Sequence, residues 1–132
     1  MTRSNDTYVS NSTRALLSNN KNADAFVSIH YNDYQHSTSI TGIETFYYNQ
    51  INQMSLAKSI HNELTKTTGL KNRGVKRGNY LVLRENKQPA ALLELGFLSN
   101  PTEEKTVSQT SYHQKAAQGI YNGLNLYFKQ QK

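Results

Sequence analysis

Two short apolar runs each end by presenting a side chain able to do chemistry. Ala25-Phe26-Val27-Ser28-Ile29-His30-Tyr31-Asn32 delivers an imidazole, and Ala90-Ala91-Leu92-Leu93-Glu94-Leu95-Gly96-Phe97 sets a carboxylate among apolar neighbours. An imidazole at the end of a buried strand rests on a rigid support, which suits a metal ligand or a general base. A carboxyl group flanked by Leu93, Leu95 and Phe97 is poorly hydrated. Its pKa should therefore rise by desolvation. Two such groups on two strand ends suggest one site. From the residues alone a plainer reading stays open for each: His30 as a hydrogen-bonded strand-end histidine, and Glu94 as a buried carboxylate paired with an arginine.

The other donors look less promising. The chain has no cysteine, so any metal must be held by histidine and carboxylate, and disulfides are excluded. His36 falls in a polar stretch and reads as an exposed loop residue. His61 borders a helical apolar stripe and His113 opens a helix, and both read as helix-surface residues because no neighbour completes a metal-ligand spacing.

At 132 residues the chain is one domain at most. With 36% hydrophobic residues and a mean hydropathy of -0.75 it is polar yet aromatic enough to fold. Fifteen basic residues against nine acidic ones give a formal charge of +6 and a pI near 9.6, which favours anionic polymers as partners. The basic residues are densest at Lys71, Arg73, Lys76 and Arg77, interleaved with Gly74 and Gly78 in what reads as a loop. Lysine and tyrosine are otherwise dispersed, without the clustering that nucleic-acid recognition uses. No apolar run has the length of a transmembrane helix, and the N-terminus lacks the apolar core of a signal peptide.

Around the two runs the periodicity predicts an α/β domain. Val9 to Asn20 reads as a helix with Ser10 or Ser12 as cap and Leu16 and Leu17 turned inward. Ala25 to Ile29 is a strand, and Gly42 to Tyr48 a second one with alternating faces. Gln53 to Thr68 carries Leu56, Ala57, Ile60 and Leu64 at helical spacing and stops at Gly69. Tyr80 to Arg84 reads as a third strand, and Ala90 to Leu95, with Pro89 before it, as a fourth that is apolar on both faces. Asn100-Pro101 followed by Glu103 and Glu104 is a helix start. Ser111 to Lys129 is a helix docking on the sheet through Ala116, Ala117, Ile120, Leu124 and Phe128, with the hydroxyls of Tyr112, Tyr121 and Tyr127 near water.

Taken in order, Thr2-Arg3, Ser28-Ile29-His30-Tyr31-Asn32, Asn72-Arg73-Gly74-Val75-Lys76 and Leu93-Glu94-Leu95-Gly96-Phe97-Leu98-Ser99-Asn100 resemble the zinc-dependent N-acetylmuramoyl-L-alanine amidases of bacterial cell walls. The resemblance spans essentially the whole chain. It implies a twisted, mostly parallel sheet flanked by helices, and a zinc ion held by two histidines and a glutamate beside a second, catalytic glutamate. It makes His30 the last zinc histidine and Glu94 the catalytic acid/base, with Asn32 and Arg73 in supporting or substrate-contacting places. The family's first strand, with its Asp-Pro-Gly-His-Gly-Gly loop, and the helix bearing its glutamate ligand precede the Thr-Arg motif. Two ligands therefore have no counterpart among these residues, and the chain corresponds to the C-terminal portion of the catalytic domain.

The implied reaction is hydrolysis of the amide joining the lactyl group of muramic acid to L-alanine. Glu94 would take a proton from the zinc-activated water and pass it to the leaving amine. The implied partner is peptidoglycan, at the cell wall or outside the cell. The alternative of a different class is a non-catalytic wall-binding fragment whose basic loop, Lys71 to Gly78, holds anionic polymer.

Overall fold

A strand buried along its whole length anchors the molecule. In the computed structural model, which describes residues 1–132, Ala90–Phe97 (β4) is flanked on one side by Phe26–Asn32 (β1), parallel to it, and on the other by Ile43–Tyr47 (β2), antiparallel to it. Asn72–Arg77 (β3) runs parallel to β2 and completes the order β1-β4-β2-β3. The apolar character of β4 on both faces follows from this place, since a central strand covered on two sides has no solvent-facing positions.

One face of the sheet carries the larger core. Ile43, Ala91, Leu93 and Leu95 pack against Leu56, Ala57, Ile60 and Leu64 of Met54–Thr68 (α2) and against Tyr112, Ala116 and Tyr127 of Thr110–Gln130 (α5). The opposite face carries a smaller cluster in which Ala90 and Leu92 meet Val82 and Leu83 of the short helix Leu81–Arg84 (α3), with Phe26, Phe46 and Tyr48 alongside. Asn11–Asn20 (α1) is tied to the α3 region by Ser18 Oγ donating to Asn86 Oδ1 at 3.2 Å and Asn19 Nδ2 donating to Glu85 O at 2.8 Å.

Several local expectations hold. Ser10 caps α1 by accepting from Thr13 N, and Gly69 ends α2 in the left-handed region with φ 72°. Asn100 accepts from the backbone N–H groups of Thr102 and Glu103 to start Pro101–Val107 (α4). Others are corrected. The basic stretch read as a loop is strand β3, a polar edge strand whose pairing is with β2 alone. The segment from Tyr80 read as a strand is α3, because burying both Val82 and Leu83 against one side of the sheet needs a helical turn. In α1 the inward residues are Ala15 and Ser18, while Leu16 is 57% exposed and Leu17 also faces out.

The contact face of α5 also differs from the expected one. Tyr112, Ala116, Gly119, Gly123 and Tyr127 are buried, and Ala117 and Phe128 are not. The helix lies chiefly on α2, and the tyrosine hydroxyl expected near water at Tyr112 is instead donated to the buried Leu95 O. The two glycines let the helix backbones approach: a Cβ on Gly123 would stand 2.4 Å from Ile60 Cα, and one on Gly119 2.9 Å from Leu64 Cα. Backbone cannot yield as a flexible side chain can. Gly123→Ala should therefore lower stability by about 1–3 kcal/mol through forced separation of α2 and α5. Urea denaturation would measure it, and an unchanged midpoint would mean that the helices are not in this contact.

Candidate active site

His30 and Glu94 are register partners across β1 and β4, and Glu94 is in turn the register partner of Glu44 on β2. Paired residues of neighbouring strands leave the sheet on the same face, so one imidazole and two carboxylates form a row across three strands. They lie on the face that carries Leu92 and Phe46, just beyond its apolar cluster. Bulges frame the row on both sides. Between His30 and Asn32 the β1–β4 register slips, and between Ile43 and Thr45 the β2–β3 register slips, leaving Arg73 and Gly74 opposite Glu44. Such bulges re-aim side chains, and this one turns Arg73 onto Glu44.

The protonation states follow from these surroundings. Burial and the nearby charge of Glu44 push the Glu94 carboxyl up to about 7. Its Oε2 is buried without a hydrogen-bond partner. Glu44 behaves in the opposite way: burial would raise it, but hydrogen bonds from Lys76 Nζ and Arg73 Nε, each 2.8 Å from Oε1, together with their charges, hold it below the ordinary carboxylate range. Two carboxyl groups side by side thus take different roles, one held as an anion and one titrating near pH 7. Burial, aided by the charge of Arg14, lowers the His30 pKa and keeps the imidazole neutral, the form a metal accepts. The Ser28 hydroxyl lies 2.8 Å from His30 Nε2 and fixes the ring.

The raised Glu94 pKa has a consequence for stability. The folded chain keeps this proton up to about pH 7 and the unfolded chain only to about 4.5, so the folded form binds more protons in that window. Stability from this group is full below about 4.5 and is lost as pH rises through about 7. Glutamine mimics the protonated form. Glu94→Gln should match the parent at pH 4 and exceed it by up to about 3 kcal/mol at pH 8 in the metal-free chain, measured by denaturant unfolding. Equal differences at both pH values would contradict the placement of this carboxyl.

The remaining candidates fall at varying distances from the row. Arg73 is one carboxylate away, with its guanidinium 5.4 Å from the Phe97 ring centroid. Asn32 pairs with Phe97 at the same strand end, and its carbonyl accepts from Leu98 N at 2.8 Å. His36 is exposed in its loop against Tyr34, and His113 is exposed on α5. His61 departs from expectation. It is only 2% exposed, with Nδ1 3.0 Å from Thr45 Oγ1 and Nε2 2.8 Å from Asn72 Oδ1, so both ring nitrogens serve to tie α2 to β2 and β3.

The sequence shows Lys76 only as part of a basic stretch and Glu103 only as an acid in a helix start, and it does not mark Glu44 as a site residue. Glu44 looked like the polar member of an alternating strand, and only the register reveals its neighbour. Glu103, in the first turn of α4, turns inward to accept from Gly42 N at 2.8 Å and Phe97 N at 2.8 Å. It clamps the start of β2 to the end of β4. Gly96 makes room for it: at φ 143°, a Cβ there would stand 2.8 Å from Val107 Cγ1 and 3.2 Å from Glu103 Oε1.

No three histidine or acidic side chains of the chain converge closely enough to hold a metal ion. His30 is suited to be one ligand, but the residues present do not make a whole zinc site.

Residues 1–126 match the Amidase_3 family of N-acetylmuramoyl-L-alanine amidases. The chain belongs to this family. Among curated relatives, the probable cell wall amidase LytH of Staphylococcus epidermidis is 44% identical over 128 residues, and that of Staphylococcus aureus 41%. The matched region covers 97% of this chain and 42% of either relative, so the chain spans about two-fifths of their length. Among solved structures, the catalytic domain of CwlV from Bacillus (Paenibacillus) polymyxa var. colistinus superposes with a TM-score of 0.93 at 38% identity, covering 97% of this chain and 70% of that one. An N-acetylmuramoyl-L-alanine amidase from Clostridium difficile 630 gives 0.92 at 39% identity, covering 96% and 69%. The mixed α/β sheet with flanking helices is thus the Amidase_3 catalytic fold, and the family is zinc-dependent.

Proposed function

We propose that this chain supplies the catalytic carboxylate and one metal ligand of a peptidoglycan amidase that cleaves the bond between N-acetylmuramic acid and L-alanine. The observation that carries the reading is the register pairing of His30 with Glu94, a neutral imidazole beside a carboxyl group poised near neutrality. Glu94 takes the proton of the attacking water as the new C–O bond forms. It then gives that proton to the amide nitrogen as the C–N bond breaks, so that a lactyl carboxyl group and an alanine amine are the products. Zinc, when bound, would polarise the scissile carbonyl and lower the pKa of the water. His30 would be its ligand in this chain, with Ser28 holding the ring. Asn32 and Arg73, at the same strand end, would contact substrate.

A catalytic zinc takes about three protein ligands, so the other two would come from residues outside these 132. The free edge of β1 supports this placement: Ile29 is 54% exposed there, beside a groove lined by Arg3, Arg14, Leu17, Phe26 and Ser28. The chain is accordingly read as the C-terminal portion of a single catalytic domain acting at the cell wall. The test is to join this chain to the remaining ligands in one polypeptide and incubate it with purified peptidoglycan and zinc. The expected products are new amino-terminal L-alanine and no new reducing sugar ends. Reducing ends instead would assign a glycosidase and overturn the reading.

A second reading rests on the same incomplete donor set. On its own the chain would be a wall-binding fragment, with Lys71, just before edge strand β3, and Lys76 and Arg77 on it meeting anionic polymer. Sedimentation with wall material that is lost in salt, without amine release, would favour it.

A further inference from the structure

Of the charged groups beside the row of His30, Glu94 and Glu44, the cations are in excess. Arg73 Nε and Lys76 Nζ both donate to the same oxygen, Glu44 Oε1, at 2.8 Å. One carboxylate cancels one of the two positive charges and leaves the other. Arg73 uses only Nε here, so its terminal N–H groups keep their donor capacity, and Lys76 retains two of its three donors. Both side chains reach solvent, at 26% and 46% exposure. Packing holds the arginine in place, because its guanidinium lies over the ring of Phe97, which follows Glu94 by three residues on β4.

From this geometry we infer that Arg73 and Lys76 form a subsite for one carboxylate of the bound ligand, on the peptide side of the scissile amide, with Glu44 as the anchor that orients both cations. The inference rests on the amidase reading of the row and adds an acidic substrate peptide to it. Glu44 has two functions in this arrangement. It pre-orients the cations, so that little side-chain freedom is lost on binding, and it limits the surplus to a single charge. A single carboxylate suits that surplus better than an extended polyanion, which would need a stripe of uncommitted cations. The next basic residue on β3, Arg77, is occupied by donation to Tyr48 O at 3.1 Å and by stacking on the Tyr48 ring.

The test uses the 132-residue chain and two N-acetylmuramoyl dipeptides that differ only in whether the second residue's α-carboxyl group is free or amidated. Binding is followed by NMR titration. The free acid should bind about tenfold more tightly than the amide, as expected for one charge-assisted contact at a solvent-reached site. Lys76→Met should abolish that preference by weakening only the acid, and Lys76→Arg should keep it. A structural role for Lys76 would instead change both affinities together. Equal binding of acid and amide, or a preference that survives Lys76→Met, would overturn the subsite and leave the amidase reading standing. Failure of both dipeptides to bind would overturn the subsite and count against the amidase reading as well.

Discussion

Glu94→Gln, made in a polypeptide that carries this chain together with the remaining zinc ligands, should reduce amide hydrolysis by about 100- to 10,000-fold, the usual effect of losing a general acid/base. The substitution is nearly isosteric and keeps the residue on the face of β4 that carries Leu92. It removes only the capacity to accept and return a proton at a carboxyl poised near pH 7. Substrate affinity should change little, so the loss falls on kcat rather than KM. Turnover of a soluble muramoyl peptide gives both constants. A decrease smaller than about tenfold would remove Glu94 from the chemistry, since no second carboxyl in the row could replace it: Glu44 is already committed to Arg73 and Lys76.

The largest stability effect is expected at a residue with no part in catalysis. Glu103→Ala should cost about 3–5 kcal/mol, because it leaves two buried backbone donors, those of Gly42 and Phe97, without an acceptor. Gly42 lies two residues before Glu44, and Phe97 three after Glu94. Loss of the clamp should therefore loosen the strand ends that set the site as well as the fold. Glu103→Gln, which keeps an acceptor oxygen, should cost clearly less. Denaturant midpoints for the two variants measure this, and a loss under about 1 kcal/mol for the alanine variant would show that water replaces the carboxylate without difficulty.

The residues that sequence alone made legible are those with strong patterns. β1 and β4 stand out as short apolar runs in which a histidine or glutamate is conspicuous, although only β4 proves buried throughout and β1 is a half-buried edge strand. α2 and α4 announce themselves by apolar spacing and by Gly69 and Asn100 at their ends. Asn72–Arg77 shows none of this, since an edge strand bearing charge lacks an apolar alternation and looks like loop. Val82 and Leu83 sit in a run too short for helix and strand periods to differ. Gly119 and Gly123 were passed over for the larger apolar residues beside them, because a close helix contact is made by absence of side chain. The sequence singles out Arg73 and counts Lys76 among the basic residues, but does not show their meeting at Glu44, because that is set by a register across three strands that local pattern does not carry.

Pairing His30 and Glu94 in one site assigns them unlike duties, and zinc content measured alongside turnover separates these directly. In the completed polypeptide, His30→Ala should lose zinc and activity together, whereas Glu94→Gln should hold a full equivalent of zinc and lose activity alone. Zinc released by Glu94→Gln and retained by His30→Ala would contradict both assignments.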